Sequence, residues 1–222
     1  MKKHVLFYLL SLISVNLLAQ NLRPYKIDDS VQVSLPPDFK KIDTLGQTLI
    51  TAKTSFGNIQ ITKLIDDQSR TPDIEKVKHL NKYYDHFLKD ISKSSKYGII
   101  SEEKDTLISK LHVKDFTMAV DSGSGKQLRN FRIIHENGAT YTFQFLYQDI
   151  SKEYALPESK EFFNSIKIPI VDVKSQFTSP ENTTGKTPSG NRKIYLSLGA
   201  ALLIIAIVLY FLKRKQKINS SV

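Results

Sequence analysis

Four polar or ionisable side chains recur at helical spacing in the middle of the chain. His79, Tyr83, His86 and Asp90 lie at positions i, i+4, i+7 and i+11, so one face of a helix would carry all four. The two histidines are two helical turns apart, about 10 Å along the axis, which is too far for one metal ion. The spacing therefore predicts at most a weak ligand-binding site, and a solvated helix flank is the alternative interpretation.

A glycine-rich segment, Gly123-Ser124-Gly125-Lys126, is superficially similar to a phosphate-binding loop. The full pattern requires glycine at position 120 and serine or threonine at position 127, where this chain has Val120 and Gln127. Asp121 would also place a negative charge where a phosphate should bind. We therefore expect an ordinary hairpin loop here.

No other pattern indicates catalysis. His112 and His135 fall in segments with strand periodicity, where we expect single histidines to be structural. Ser122 and Ser124 lie outside any G-x-S-x-G pattern. The chain has no cysteine, which excludes thiol catalysis, disulfides, a lipoprotein anchor and cysteine-bound metal. The sequence thus indicates no catalytic residue, no metal site and no cofactor.

Two helices are predicted between stretches of strand pattern. The first begins at Thr71-Pro72, a capping hydroxyl followed by a proline suited to the first helical turn. Its apolar residues recur at helical spacing and predict one buried face: Ile74, Val77, Leu80, Tyr84, Phe87, Leu88 and Ile91. The second spans Pro157–Ser165, buries Phe162, Phe163 and Ile166, and runs into a short strand over residues 166–168.

Alternating apolar and polar residues predict most of an antiparallel sheet. The predicted strands are Val31–Leu35, Leu49–Lys53, Ile59–Leu64, Leu107–Val113, Phe116–Val120, Leu128–His135 and Thr140–Tyr147. Gly57-Asn58 and Asn137-Gly138 predict the turns of two hairpins, since these residues readily adopt positive φ. The expected fold class is α+β, an antiparallel sheet packed by a long helix and a short C-terminal helix.

The order of these elements resembles the PsbP-like family, here in a bacterial envelope member. Three segments carry the resemblance: Leu35-Pro36-Pro37-Asp38-Phe39 after an early strand, Tyr141-Thr142-Phe143-Gln144-Phe145 in the late hairpin, and the closing run from Phe162 to Ile168. The resemblance covers roughly Tyr25 to Val171 and implies an αβα sandwich. It implies no shared enzymatic activity and no catalytic residue set, and hence a non-enzymatic binding or assembly module.

An apolar segment at each end predicts where the chain resides. Val5–Leu18 follows Lys2-Lys3 and ends in small residues near Ala19, which is typical of a signal peptide over residues 1–20. An uncleaved signal anchor is the alternative. The run Ile194–Leu212 is long enough for one transmembrane helix, and a basic tail over residues 213–222 follows it.

The segments between and after these runs complete the predicted topology. Residues 21–173 form one exported domain, and residues 174–193 are rich in Ser, Thr, Pro and Gly, as in a flexible stalk. Basic residues in the tail predict that it is cytoplasmic. We therefore expect a single-pass protein of the inner cell membrane, with its large domain on the extracytoplasmic side.

The charge distribution limits the classes of partner. The formal net charge is +10, but two positive charges lie in the first three residues and four follow Leu212, which leaves +4 elsewhere. That remainder does not indicate a nucleic-acid partner. We expect contact with the lipid bilayer and with a membrane-bound or envelope protein. The sequence predicts a tethered, non-enzymatic binding or assembly module of the cell envelope; a small-ligand receptor with a pocket between sheet and helix, or an unrecognised hydrolase, are the alternatives.

Overall fold

The computed structural model describes residues 22–67, 71–95, 98–121, 125–169 and 172–178. The predicted signal peptide, transmembrane helix and basic tail lie outside these residues, as does the predicted stalk beyond Thr178. Within the described ranges, no helix is long and apolar enough to cross a membrane.

In the described part of the chain, nine strands form two antiparallel sheets. A two-stranded sheet pairs β1 (Arg23–Lys26) with β2 (Gln32–Leu35). The main sheet has seven strands in the spatial order β3-β4-β5-β9-β8-β7-β6. Its strands are β3 (Lys40–Thr44), β4 (Gln47–Lys53), β5 (Asn58–Ile65), β6 (Gly98–Ile108), β7 (Leu111–Asp121), β8 (Lys126–Glu136) and β9 (Ala139–Gln148).

The two α-helices found among the described residues pack on opposite faces of the main sheet. Helix α1 (Val77–Ser94) covers one face, where Leu80 and Tyr84 pack with buried residues of β7 and β8. Helix α2 (Lys152–Asn164) covers the other face, where Phe162 packs with buried residues of β4, β5 and β9. The predicted α+β class, a mostly antiparallel sheet with two helices, is confirmed.

The start of α1 differs from the prediction. The helix begins at Val77, not at Thr71, because the Thr71 hydroxyl accepts a hydrogen bond from the Asp67 N–H (3.1 Å) instead of capping a helix. Ile74 precedes the helix and is fully buried. Its carbonyl accepts a hydrogen bond from the Thr178 N–H, and its N–H donates to the Thr178 hydroxyl, both at 2.8 Å. Tertiary contacts therefore hold this segment out of the helix.

Helix α2 also begins before the predicted residue. It starts at Lys152 after a 3₁₀ turn over Asp149–Ser151, so Pro157 lies inside the helix. Glu153 and Pro157 are both exposed, so the carbonyl that loses its helical partner can bond water instead. Of the two adjacent aromatic residues, Phe162 is fully buried whereas Phe163 is half-buried.

The predicted strand Leu107–Val113 is wrong, because a turn divides it. Ser109 and Lys110 both have positive φ, 50° and 76°, and they join β6 to β7. Neither residue is a glycine or asparagine, the residues that most readily adopt positive φ, so the sequence carried only a weak signal for this turn. The first half of β6, together with β1 and β3, was not predicted because these strands lack an alternating apolar pattern.

The two predicted hairpins are confirmed. Asn137 (φ 48°) and Gly138 (φ 67°) join β8 to β9. Residues 54–57 join β4 to β5, and a Cβ atom at Gly57 would lie 2.5 Å from the Phe145 ring, so a larger residue does not fit there. The predicted closing strand over residues 166–168 is reduced to a single bridge between Lys167 and Gln32.

The folded domain continues past its predicted boundary at residue 173. A 3₁₀ turn, Val173–Gln176, packs against the end of the main sheet, and the Gln176 side chain is fully buried. Asn137 donates its backbone N–H to the Ser175 carbonyl (2.9 Å), and Thr178 bonds Ile74. Residues 174–178, assigned to the stalk from composition alone, therefore belong to the domain.

Candidate functional site

Tyr83, one of the four predicted site residues, is an anchor between α1 and the sheet. Its hydroxyl lies 2.8 Å from the Thr140 Oγ1, and its ring packs edge-on against the His135 imidazole with centroids 5.6 Å apart. Burial raises the pKa of Tyr83 to about 12. A neutral, hydrogen-bonded phenol in this position fixes the helix on the sheet.

The other three predicted residues do not join Tyr83 in one site. His79 points along the exposed flank, 3.9 Å from a Glu75 carboxylate oxygen. His86 is exposed and Asp90 is half-buried. The outward side of α1 carries an open depression lined by Val77, Lys78, His79, Asn81, Lys82 and Asp85. Within the described ranges, no group of three or more His, Asp or Glu side chains is placed to hold a metal ion.

His135 and Asp66 form the pair most similar to a catalytic dyad. The His135 Nε2 lies 2.9 Å from the Asp66 Oδ2, and its Nδ1 lies 3.0 Å from the Gln176 carbonyl oxygen. Each ring nitrogen contacts an oxygen atom, of a carboxylate on one side and of a backbone carbonyl on the other, so neither is directed at a nucleophile. The ring is only 1% exposed, so the pair joins three chain segments rather than facing a substrate.

Gln176 is an organising residue that the sequence did not indicate. Its side-chain amide accepts from the His112 N–H (2.8 Å) and donates to the carbonyls of His112 (2.9 Å) and His135 (3.0 Å). These two carbonyls lie beyond the last paired residues of β7 and β8. The amide therefore satisfies backbone groups that the ladder leaves unpaired.

Asp28 organises the opposite face at the same end of the sheet. Its carboxylate accepts from the Lys63 ammonium and the Tyr141 hydroxyl, both at 2.5 Å, and from the N–H groups of Ser30 and Val31. Burial alone would raise the pKa of Asp28, but the hydrogen bonds from Lys63, Tyr141 and Ser30 lower it below its ordinary value. The carboxylate is thus held in its charged form.

Glu136, next to His135, is fully buried. Its Oε1 lies 2.7 Å from the Ser175 hydroxyl, whereas its Oε2 has no hydrogen-bond partner among the described residues. The Ser175 hydroxyl, which also contacts the Asp172 carbonyl, donates to Oε1. Burial raises the pKa of Glu136 above its ordinary value, and it outweighs the hydrogen bond from Ser175, which acts in the opposite direction.

Lys114 joins α1 to the edge strand β6. Its ammonium lies 3.2 Å from Asp85 on the helix, 2.9 Å from Glu103 and 2.8 Å from Asp105, and its side chain is only 4% exposed. Burial alone would lower the pKa of Lys114, but the three carboxylates raise it above its ordinary value. This arrangement fixes a charged lysine under the helix rather than leaving it available for catalysis.

Half of the sheet face on the α1 side is not covered by a described helix. The apolar cluster beneath α1 contains residues of β6, β7 and β8 and none from the other four strands. On those four strands, residues that alternate with the α2-side core form what we call the open face: Gln47, Leu49, Thr51, Gln60, Thr62, Leu64, Thr142 and Gln144. All are partly exposed except Leu49 and Gln144, which are each 6% exposed.

The strand register arranges the open face in rows. Thr51, Gln60 and Gln144 lie side by side across β4, β5 and β9, and Leu49, Thr62 and Thr142 form the next row. The rows present neutral hydrogen-bonding groups and apolar groups. None of the eight residues of the open face is charged, whereas binding of a nucleic acid would need clustered positive charge.

The alternation of threonine and glutamine with apolar residues could have indicated this face. Gln60-Ile61-Thr62 and Thr142-Phe143-Gln144 predict strands with one buried and one solvated side. The sequence could not show which half of the sheet α1 covers, because that depends on strand order.

The sequence matches no protein-family model, and it has no match among curated proteins. Solved structures give distant likenesses. The cyanobacterial PsbP protein CyanoP from Synechocystis aligns at 11% identity and a TM-score of 0.47, covering 69% of this chain and 95% of that one. The Ran-binding protein Mog1p from Saccharomyces cerevisiae aligns at 8% identity and 0.46, covering 72% and 100%.

A third likeness is to LpqN of Mycobacterium tuberculosis, a protein involved in cell envelope biogenesis. It aligns at 12% identity and a TM-score of 0.41, covering 66% of this chain and 89% of that one. One of the three is a PsbP protein, and the PsbP-like resemblance expected from the sequence remains a prediction. Likenesses of this extent establish neither a family nor a function for this chain.

Proposed function

We propose that this protein is a non-enzymatic binding or assembly module of the bacterial cell envelope, exported and tethered to the inner membrane by its C-terminal apolar segment. The open face is its binding surface, and its partner is an envelope or membrane protein. The bilayer is the second contact, through the tether.

The observation that carries the proposal is the asymmetric covering of the sheet. The α2 side of β4, β5 and β9 is closely packed with aromatic and branched side chains, whereas the α1 side of the same strands bears threonine and glutamine side chains, most of which are partly exposed. Because no helix among the described residues covers this sheet face, we place the partner there. Its neutral polar and apolar mixture resembles that of non-obligate protein interfaces.

The arrangement of the ionisable groups favours binding over hydrolysis. His135 has both ring nitrogens committed, and Lys114 is enclosed by three carboxylates. The space beneath α1 is filled by the stacked rings of Phe116 and Phe131, 4.5 Å apart, where a small-ligand receptor would need a pocket. Neither alternative class is supported by a specific feature.

Site-directed photo-crosslinking in intact cells tests the binding surface. A crosslinking amino acid at Thr62 or Thr142, on the open face, should give a discrete adduct with another protein. The same amino acid at Lys160 or Glu161, on the exposed side of α2, is the matched control and should not. Equal adducts at both sets of positions, or none at the open face, would contradict the proposed surface.

A blocking variant extends the same experiment. Thr62→Arg places a long charged side chain on the open face and should reduce the adduct formed from Thr142, while Lys160→Arg should leave it unchanged.

Protease accessibility tests the location. A protease added outside the sealed inner membrane should digest the domain and spare a tag placed after Val222. A protected domain with a digested tag would refute the proposed topology, whatever the crosslinking result.

A further inference from the structure

The two edge strands of the main sheet differ in the regularity of their backbone pairing. At one edge, β6 is interrupted by a bulge between Ser101 and Lys104, and Glu102 within it has φ of 55°. At the other edge, β3 pairs with β4 in continuous register over all five residues, and each of the five is exposed. A bulge is a usual protection against pairing with another strand; β3 has no bulge and instead is short and carries the charged residues Lys40, Lys41 and Asp43, which restrict the strands that it can pair with.

The hydrogen bonds of the neighbouring strands show which groups of β3 face the free edge. Ile65 donates its N–H to the Gly46 carbonyl, so alternate residues from Gly46 onward bond β5. Gln47, Leu49 and Thr51 therefore bond β3, through their partners Thr44, Ile42 and Lys40. The backbone N–H and C=O groups of Lys41 and Asp43 consequently point away from the sheet.

These two outward residues limit the registers in which β3 could pair antiparallel with another copy of itself. A hydrogen-bonded pair must join outward residues, so Lys41 opposes Lys41, Asp43 opposes Asp43, or Lys41 opposes Asp43. The first two registers place like charges opposite each other, which is destabilising. Only the third register places opposite charges across from each other. The twofold symmetry of the pair produces this Lys41–Asp43 contact twice.

We infer that β3 is a homodimer interface, in which two copies of this chain pair antiparallel with Ile42 opposite Ile42. Lys41 and Asp43 of each copy then face Asp43 and Lys41 of the other, and the backbone groups of both residues gain partners. Lys41 and Asp43 already lie 2.9 Å apart on one face of the strand, so pairing produces a quartet of alternating charge. Ile42, which is 57% exposed in the single chain, gains an apolar neighbour.

The geometry also joins the two open faces. Residues opposite each other in an antiparallel pair point to the same side of the sheet, so Ile42 of both copies lies on the α1 side. The dimer therefore carries one continuous surface across β9, β5, β4 and β3 of each copy, bounded by an α1 helix at either end.

The short length of β3 sets the conditions under which the dimer forms. Five residues per copy make a small interface, typical of weak association in dilute solution. This step rests on the proposed function, because tethering to one membrane confines two copies and raises their effective concentration. The expected dimer is thus populated on the membrane and dissociates when the protein is diluted in detergent.

The test uses the absence of native cysteine, since a single introduced cysteine can link only to another copy. Ile42→Cys in the full chain should form a disulfide on mild oxidation of membranes, because opposed Cα atoms of this kind lie about 4.5 Å apart. Thr44→Cys is the register control: the two sulfurs would be four residues apart along the strands, about 14 Å, and should not link. Leu107→Cys, 62% exposed on β6, is the control for random collision.

Charge variants in the Ile42→Cys background test the register independently. Lys41→Asp alone places carboxylates opposite each other, and Asp43→Lys alone places ammonium groups opposite each other. Each variant should crosslink to itself roughly tenfold less. Co-expression of the two, distinguished by tags, should restore crosslinking as a mixed dimer, because every opposed pair is again of opposite sign.

The outcomes separate this inference from the proposed function. Linkage at Thr44 or Leu107 equal to that at Ile42, or a yield at Ile42 that is insensitive to the charge variants, overturns the dimer while leaving the tether intact. Recovery of the protein in the soluble fraction instead refutes the tether, and oxidation of that fraction at high protein concentration still tests the pairing. Failure to link there as well overturns the dimer.

Discussion

The side-chain amide of Gln176 bonds the backbone of His112 at both its N–H and its C=O, at 2.8 and 2.9 Å. A neighbouring β-strand would make the same two contacts. One side chain thus extends the β7–β8 ladder at the start of β7, and it does so from a segment 64 residues away in sequence.

Gln176→Ala should lower the free energy of unfolding by about 1–3 kcal/mol, because the His112 N–H and the His135 carbonyl lose the hydrogen bonds that Gln176 makes to them, while the His112 carbonyl keeps only its bond from the Tyr84 hydroxyl. Urea denaturation of the purified protein measures this. Gln148→Ala is the matched control, because Gln148 is exposed at the end of β9, and its loss should change stability by less than about 0.5 kcal/mol. Equal losses of stability in the two variants would mean that the hydrogen bonds of Gln176 do not stabilise the fold.

Asp28→Asn should remove part of the sensitivity of the fold to acid. The folded-state pKa of Asp28 is lowered, so its ion pair with Lys63 stabilises the protein above the ordinary aspartate pKa of about 3.9 and is lost as the pH falls through the folded value. The variant should be less stable than the native protein near pH 7, and this difference should shrink below about pH 4. Denaturation midpoints across this range measure it.

Asp29→Asn is the control for that measurement, because Asp29 is exposed and adjacent. It should keep the acid response of the native protein. A constant difference between Asp28→Asn and native protein from pH 7 to pH 3 would contradict the assignment.

Glu136→Gln should stabilise the protein at neutral and alkaline pH. The folded-state pKa of Glu136 is raised by burial, so ionisation costs stability above that value and costs nothing below the ordinary glutamate pKa of about 4.3. The variant should therefore melt at a higher temperature than native protein at pH 8, with the gap closing by about pH 4. Glu161→Gln, an exposed control, should show no such trend.

Adjacent phenylalanines in α2 should differ in their contribution to stability. Phe162 is fully buried and packs with Phe143 and Phe145, so Phe162→Ala should cost about 3–5 kcal/mol. Phe163 is half-buried beneath the Arg132 guanidinium, so Phe163→Ala should cost less. Chemical denaturation of both variants checks the order, and a larger loss at Phe163 would place the wrong face of the helix inward.

Alternation and turn residues were sufficient to predict the central strands. Ile59 and Ile61 alternate with Gln60 and Thr62, and Asn137-Gly138 fixes the register of the late hairpin. The edge strand β3 was missed because all its residues are exposed, so no period-two pattern arises. Local patterns thus report which residues are buried, and they report little about strands that no layer covers.

The site could not be predicted in the same way, because it depends on distant segments. Gln176 is separated by 41 residues from His135, and its surroundings in the sequence are those of a linker. The candidates His79 and His86 were chosen for their residue types, yet the structure gives neither a shared partner. Composition could not distinguish the last folded residues from the stalk.

The attachment at Thr178 gives the domain a mechanical property. Any force transmitted through the C-terminal chain enters at Thr178 and first loads its two hydrogen bonds to Ile74. The hydrogen bonds of the Gln176 side chain come next along the chain, before the strands of the sheet. Because these contacts follow one another along the chain, a pulling force should first separate the terminal segment from the domain. The force should reach the strands of the sheet only after the hydrogen bonds of Gln176 have broken.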